Sequence, residues 1–221
     1  THEMQIYDKM NNAGSWSIGS RIDQMLEDCG DLCLDGGCTT SAGDLNEDSI
    51  LNIQDLITMV NHILSVELVT DCALEAADMN VDGIINIQDL ISLVNAILGV
   101  GRVATLDGYA DVEYITSGND LLVQIKSDTD LAGIQISLLD DIEYSIELKD
   151  NSHISQDSHY NNGITRYLAY SIFNNPFDSY TTELLIRSAG DIDMNSIQIT
   201  LSDINGDILT ASHVQNDNNF H

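Results

Sequence analysis

The chain has 221 residues, of which 36 are acidic and 7 are Lys or Arg, so its formal net charge is −29 at pH 7. Such a chain is repelled by nucleic acid and by anionic membranes, which excludes general electrostatic binding to either. No run of 18 apolar residues occurs, so we expect no insertion into a membrane. The chain begins at Thr1 without a basic-then-apolar leader, and we expect any signal peptide to have been removed already.

Residues 1–42 form a mixed N-terminal segment. Ile18, Ile22, Met25 and Leu26 recur at helical spacing, which predicts one short helix over residues 17–28. This segment also carries a cluster of cysteines, Cys29, Cys33 and Cys38, whereas the fourth cysteine, Cys72, lies further along the chain.

The cysteine spacing indicates disulfide bonds. Gaps of three and four residues within the cluster do not fit the tight C-x2-C pairs of a zinc site. An even number of cysteines predicts two disulfides in an oxidising compartment, with free thiols or a metal site as alternatives. Three pairings are possible, and each of them links Cys72 to the upstream cluster.

An internal repeat occupies residues 43–99. Residues 44–64 match residues 78–98 at 14 of 21 positions, at an offset of 34 residues. Each copy consists of a loop rich in Asp and Asn followed by a run with helical periodicity. The periodic apolar residues are Leu56, Met59, Val60 and Ile63 in the first copy, and Leu90, Leu93, Val94 and Ile97 in the second.

The two loops predict two calcium sites. A twelve-residue calcium loop presents oxygen ligands from slots 1, 3, 5, 7, 9 and 12, with slot 7 acting through its backbone carbonyl. These slots hold Asp44, Asn46, Asp48, Ile50, Asn52 and Asp55 in the first loop, and Asp78, Asn80, Asp82, Ile84, Asn86 and Asp89 in the second. Every side-chain slot therefore carries an oxygen in both loops.

The sixth slot of each loop requires a sharp turn with positive φ, which glycine adopts without strain. Gly83 meets this requirement, whereas Ser49 does not, so we expect the first loop to bind calcium more weakly. Leu51 and Ile85 are expected to pack where the two loops meet. No helical pattern precedes the first loop, so we predict one main helix per repeat and a short linker helix near residues 72–77.

The G-D-x-N-x-D loops, each followed by an N-x-x-D-L helix, resemble the duplicated repeats of type I dockerin modules. The resemblance implies calcium-dependent docking on a cohesin. In that family the contact surface lies beside the last ligand and along the following helix. The matching positions here are Ile53, Gln54, Val60 and Asn61 in the first repeat, and Ile87, Gln88, Val94 and Asn95 in the second. Packing inside the protein core is the alternative fate of Ile53 and Ile87.

Residues 103–214 change to the period-2 pattern of β-strands. Leu121, Val123 and Ile125 alternate with polar residues, as do Ile134, Ile136 and Leu138, then Leu168, Tyr170 and Ile172, and then Ile197, Ile199 and Leu201. Eight or nine such strands separated by turn residues predict a β-sandwich. The stretches 130–140, 165–177 and 197–209 resemble strands of cohesin-like sandwiches. Residues 215–221 are predicted to be a tail.

These features predict an α+β multi-domain chain, with a small all-α dockerin-like module at residues 43–102 and an all-β sandwich of cohesin-like or jelly-roll type at 103–214. No HExxH, GxSxG, P-loop or GxGxxG motif occurs, so we predict that the chain is not an enzyme. We expect a secreted or cell-surface assembly protein that binds two calcium ions. Its predicted partner is a cohesin-like domain, either in another copy of the chain, which would give a head-to-tail filament, or in a separate protein.

Two alternatives remain at this point. The first is a carbohydrate- or surface-binding module anchored by its dockerin-like part, with glycans stacking on tyrosines. The tyrosines concerned are Tyr144, Tyr160, Tyr167, Tyr170 and Tyr180. The second is an accessory fragment of a larger enzyme.

Overall fold

The computed structural model describes residue 38 and residues 40–100, 108–149, 153–177 and 180–216. The chain divides into two compact units, Thr1–Thr39 and Thr40–His221. Of the first unit only Cys38 is described, so the helix predicted at residues 17–28 lies outside the described residues. The second unit contains both the repeat and the strands.

Three helices form the repeat module: α1 (Ile53–Ile63), α2 (Asp71–Ala77) and α3 (Ile87–Leu98). The short α2 confirms the linker helix that the sequence predicts. The two long helices begin in the same way, since the side chain of Asn52 or Asn86 accepts the N–H of the second helical residue. The side chain of Asp55 or Asp89 accepts the N–H of that same Asn, which completes a capping box.

The apolar stripes of α1 and α3 pack against each other to form the core of the module. Leu56, Met59 and Val60 are buried on α1, and Leu90 and Leu93 are fully buried on α3. Leu51 and Ile85 are half-buried and pack against the same core, as the sequence predicts. The helices therefore hold the two loops side by side.

Nine strands follow, which confirms the predicted β-sandwich. They are β1 (Gly108–Ser117), β2 (Asp120–Ser127), β3 (Leu131–Leu139), β4 (Ser145–Leu148), β5 (Ser155–Asn161), β6 (Ile164–Tyr170), β7 (Thr182–Arg187), β8 (Ile197–Asp203) and β9 (Leu209–Asn216). One sheet has the order β4-β7-β2-β1-β9 and the other has the order β5-β6-β3-β8. All neighbouring pairs are antiparallel except β1 and β9, which are parallel. Strand β9 extends to Asn216, two residues into the predicted tail.

The core of the sandwich lies between the two sheets and follows the predicted alternation. Val123 from β2, Ile136 from β3 and Leu201 from β8 are fully buried in it. Residues 205–207 form a tight turn between β8 and β9, which an antiparallel bridge between Ser202 and Ile208 closes. Because β8 and β9 belong to different sheets, this turn carries the chain across the end of the sandwich.

Strands β3 and β6 are buried on both faces, which an isolated sandwich does not require. Ile134 and Tyr167 point into the sandwich core, whereas Ala132, Leu168 and Tyr170 belong to the core of the helical module. The predicted alternation of Leu168 and Tyr170 is therefore present, but it faces the helices. The outer face of the four-stranded sheet is the surface on which the module rests.

No helix within the described residues is long and apolar enough to cross a membrane.

Candidate calcium loops and docking faces

The first loop is held in shape by hydrogen bonds between its own backbone and its acidic side chains. Asp44 Oδ1 accepts the N–H of Asp48 at 3.1 Å, and Asp44 Oδ2 accepts the N–H of Ser49 at 3.0 Å. Asp55, in the last slot, reaches back across the loop and accepts the N–H of Leu45 at 2.9 Å. The first and last slots are thereby brought to the same side of the loop.

The second loop repeats this arrangement residue by residue. Asp78 accepts the N–H groups of Asp82 at 3.1 Å and Gly83 at 2.9 Å, and Asp89 accepts that of Met79 at 2.8 Å. The repeat in the sequence is therefore also a repeat in geometry, and both loops present their carboxylates in the same way.

The backbone makes the predicted turn at the sixth slot in both loops. Gly83 has φ = +84° and Ser49 has φ = +65°, so the serine takes the left-handed conformation that glycine adopts more easily. The fourth slots, Glu47 and Val81, are also left-handed, with φ near +60°. The strain is greatest in the first loop, where no glycine relieves it.

The ninth slot has a second task in this structure. Asn52 Oδ1 caps helix α1 by accepting the N–H of Gln54 at 2.7 Å, while Asn52 Nδ2 donates to the carbonyl of Ile50 at 3.0 Å. Asn86 makes the same contacts with Gln88 and Ile84. Because the amide oxygen is turned towards the helix, this slot fits coordination through a water, which is common at the ninth position.

Neither Lys nor Arg is present in the module to neutralise these loops. Residues 43–99 contain ten acidic residues and no Lys or Arg. Asp55 and Asp89 are fully buried, and a buried carboxylate without a counterion is destabilising. Burial raises the pKa of Asp89 above its ordinary value; three backbone N–H groups oppose the rise, and the charge of Asp78 adds to it. The neutralising positive charge therefore does not come from Lys or Arg of residues 43–99.

The donor set fits a hard divalent cation. Within the described residues, no three His, Cys, Asp or Glu side chains are grouped closely enough to hold a metal ion by themselves. The loops therefore depend on Asn46 and Asn80 and on the carbonyls of Ile50 and Ile84 as well. Carboxylate, amide and carbonyl oxygens without nitrogen or sulfur are the ligands of calcium. A bound ion would supply two positive charges to each group of three carboxylates.

The structure confirms part of the disulfide prediction. Cys38 and Cys72 are both disulfide-bonded, whereas Cys29 and Cys33 lie outside the described residues. The number of disulfides and their pairing stay predictions.

Each long helix presents one face beside its calcium loop, which we call its docking face. The first docking face consists of Ile53, Gln54, Ile57, Thr58 and Asn61, and the second consists of Ile87, Gln88, Ile91, Ser92 and Asn95. The second docking face is covered by the chain's own four-stranded sheet, since α3 contacts β3, β6 and β8. The N–H of Ile87 donates to Gln135 Oε1 at 3.1 Å, and Asn95 Nδ2 donates to the carbonyl of Ile204 at 2.9 Å.

Gly133 on β3 makes this contact possible. A Cβ added to Gly133 would lie 2.6 Å from Ile87 Cγ1 and 3.1 Å from Ile91 Cγ1. The two isoleucines therefore fill the space above the glycine. Sequence reasoning missed Gly133 and Gln135 as contact residues, although both lie in the stretch 130–140 that resembles a cohesin strand. The sequence signal that could have identified this contact is a glycine, Gly133, inside a predicted strand.

The first docking face is open. Ile53 is 54% exposed and Ile57 is 55% exposed, whereas their counterparts Ile87 and Ile91 are 0% and 2% exposed. The alternative of core packing is therefore wrong for Ile53, which is exposed, whereas Ile87 is buried against the sandwich.

The assignment of Val60 and Val94 to a partner surface is wrong. Both are buried, at 6% and 3% exposure. They lie on the same helical stripe as Met59, Leu93 and the other core residues, so the helical period turns them away from the docking faces. Ile57 and Ile91, four residues after Ile53 and Ile87, occupy the surface positions instead.

A platform of five sugar-stacking tyrosines does not exist. Tyr144, Tyr167 and Tyr170 are buried, and only Tyr160 and Tyr180 are exposed. The buried hydroxyls donate within the protein, to Asp140, Gln156 and Asp157 respectively. Burial raises the pKa of Tyr144 to about 12, as expected for a phenol packed into a sandwich.

We predict that Ser49→Gly stabilises the protein by about 1 kcal/mol, because it removes left-handed strain from a non-glycine residue. It should also tighten calcium binding by the first loop roughly fivefold, because the calcium-bound loop must hold the left-handed turn at this residue. Thermal unfolding and calorimetric titration with calcium would measure the two effects.

Ser65→Gly is the matched control. Ser65 also has positive φ, at +59°, and its counterpart in the second repeat is Gly99 at +68°. It follows α1 and lies outside both calcium loops, so the change should raise the melting temperature without changing calcium affinity. Equal effects of the two variants on calcium binding would contradict the assignment of strain to the loop.

Comparison with known families bears on this geometry. The model of the dockerin type I domain matches residues 42–98, whereas no curated protein matches the chain. A solved non-cellulosomal cohesin from the hyperthermophilic archaeon Archaeoglobus fulgidus is 13% identical and covers 49% of this chain and 86% of its own, with a TM-score of 0.30. The chitin-binding domain of a chitinase from Pyrococcus furiosus is 14% identical and covers 48% of this chain and 100% of its own, with a TM-score of 0.26. Residues 42–98 thus form a dockerin-like module, of a type that binds calcium and docks on other protein domains.

Proposed function

We propose that this chain is a secreted, non-catalytic assembly protein in which two calcium ions order a dockerin-like module and the ordered module docks on a β-sandwich. The observation that carries the proposal is the second docking face, which lies on the outer face of the β5-β6-β3-β8 sheet. Two hydrogen bonds and a glycine fitted to two isoleucines make this contact specific.

Calcium and docking are coupled through the start of helix α3. Asp89 is the last slot of the second loop and also caps the helix at Asn86. Ile87 lies between these two residues in sequence, and its N–H and side chain contact the sheet. Without a cation, the repulsion among three loop carboxylates opposes this arrangement. Calcium therefore supports docking by fixing the first turn of α3.

The same contacts can join different copies of the chain. Residues 99–107 connect the module to the sandwich, and so short a connection gives an effective concentration in the millimolar range for docking within one chain. The closed chain is then the resting form. At a higher local concentration, the module of one copy can occupy the sheet of the next, and such a head-to-tail contact propagates into a filament.

The chemistry of the chain suits the extracellular space. Cys38 and Cys72 are disulfide-bonded, and disulfides persist in oxidising compartments. Loops of this kind are filled where calcium is abundant.

Two calcium ions per chain are expected, and removing them should unfold the module before the sandwich. Chelation should lower the helical circular dichroism signal while the strand signal persists, because the ions neutralise the module alone. Calorimetry and anomalous scattering would count the ions.

Asp78→Ala should weaken calcium binding more than Asp44→Ala, since the loop that contains Ser49 is already strained. If no calcium is bound near Asp44 and Asp78, the proposal is refuted.

Gly133→Val should detach the module from the sheet, because a side chain at Gly133 collides with Ile87 and Ile91. Hydrogen exchange of α3 should accelerate, and calcium should still bind but with lower affinity, because binding and docking are coupled through the start of α3. Ser158→Val is the control, since it adds a side chain of similar size to an exposed position on β5 of the same sheet. Unchanged exchange of α3 in the Gly133 variant would show that the contact is not formed in solution.

Self-association should depend on calcium and on protein concentration. Light scattering should give a monomer at micromolar protein and an increasing mass at millimolar protein with calcium, and chelator should abolish the increase. Gly133→Val should abolish it as well, because the acceptor sheet is then blocked. A monomer under all of these conditions would refute assembly between copies and leave a closed, calcium-stabilised module.

A further inference from the structure

The two docking faces are almost identical, yet only the second one lies on the sheet. Ile, Gln, Ile and Asn recur at the positions Ile53/Ile87, Gln54/Gln88, Ile57/Ile91 and Asn61/Asn95. The fifth position differs, because Thr58 in the first face corresponds to Ser92 in the second. By its pseudo-twofold symmetry the module could rotate and offer either face to the sheet. The Ser/Thr position is thus the one difference in residue type between the two faces.

The turn between β8 and β9 lies directly against Ser92. Gly206 approaches helix α3 so closely that an added Cβ would collide with Ser92 Oγ and would lie 3.0 Å from the carbonyl oxygen of Gln88 and 3.2 Å from the amide nitrogen of Ser92. Asn95 holds this turn in place by its hydrogen bond to Ile204. Ser92 therefore lies in close contact with the backbone of this turn, and we expect a second γ atom on residue 92 to be accommodated poorly.

Ser92 and Thr58 also differ in how their hydroxyls are used. Thr58 Oγ1 donates to the carbonyl of Gln54 at 3.0 Å, which fixes the side chain and directs its methyl group away from that bond. Ser92 Oγ is buried and has no hydrogen-bond partner among the described residues. A buried hydroxyl left without a partner is destabilising, so a serine is present here for its size.

We propose that the contact between Ser92 and Gly206 selects which repeat docks. The inference rests on the proposed docking function and adds the residue that sets its direction. A threonine placed against Gly206 forces an extra methyl group into a packed contact, which shifts the balance between the two orientations by roughly 5- to 150-fold. The first docking face is excluded from the chain's own sheet and stays open.

Exchanging the two residues tests this selection. In the double variant Thr58→Ser with Ser92→Thr, the module should rotate so that the first face docks. Hydrogen exchange in calcium, read at single amides by NMR, should show a slow Ile87 amide in the wild type, because that N–H is bonded to Gln135. In the double variant the Ile53 amide should become the slow one, by a similar factor.

Controls separate the selection from the docking itself. Ser92→Ala removes the hydroxyl without adding volume and should leave Ile87 protected, whereas Ser92→Thr alone should reduce its protection. Calcium titration of each variant shows that the module is folded. If Ile87 stays the protected amide in the double variant, the proposal that Ser92 and Gly206 select the docking repeat is overturned. The docking proposal itself then stands. If Ile87 is unprotected in the wild type, docking itself is wrong.

Discussion

Helix α3 is enclosed on two sides, by helix α1 and by the β5-β6-β3-β8 sheet. One side packs on α1 through Leu90 and Leu93, and the other packs on the sheet through Ile87 and Ile91. Its first turn is also the end of the second calcium loop, because Asp89 both caps the helix and closes the loop. One short stretch of chain thus joins cation binding, module packing and docking. A change in any of these three is transmitted to the other two through the same few residues.

The repeat, the ligand slots and the sandwich could all be predicted from the sequence because each depends on local pattern. A twelve-residue loop needs oxygens at fixed slots, and Asp78 and Asp89 hold theirs whatever the rest of the chain does. The difference between the docking faces could not be predicted in this way. Ile53 and Ile87 have the same neighbours in sequence, and only the distant Gly133 and Gly206 distinguish their environments. Val60 and Val94 lie on the buried apolar stripe of their helices, so the contact positions of the dockerin family do not hold at these two residues.

The contact between helix α3 and the sheet does not use the charged side chains of this protein. The net charge is −29, yet the contact between α3 and the sheet is made by Ile, Gln, Ser, Asn and Gly side chains or backbone. An uncharged interface avoids the repulsion that two acidic surfaces would otherwise meet, and a strongly charged remainder opposes nonspecific association. Gln135 and Ile204 supply acceptors that give the apolar contact its direction, so specificity does not depend on ion pairs.

The first docking face stays open because the chain has two docking faces and only one sheet to cover them. Ile53 and Ile57 form an exposed apolar patch, and duplication of the repeat has produced two such patches for a single sheet. If the faces were fully equivalent, the module would exchange between two orientations and both faces would be exposed part of the time. A one-methyl difference at a close backbone approach is enough to break that symmetry, because packed contacts accommodate added volume poorly. The chain can then remain closed through one repeat while the other keeps a fixed, accessible surface for another molecule.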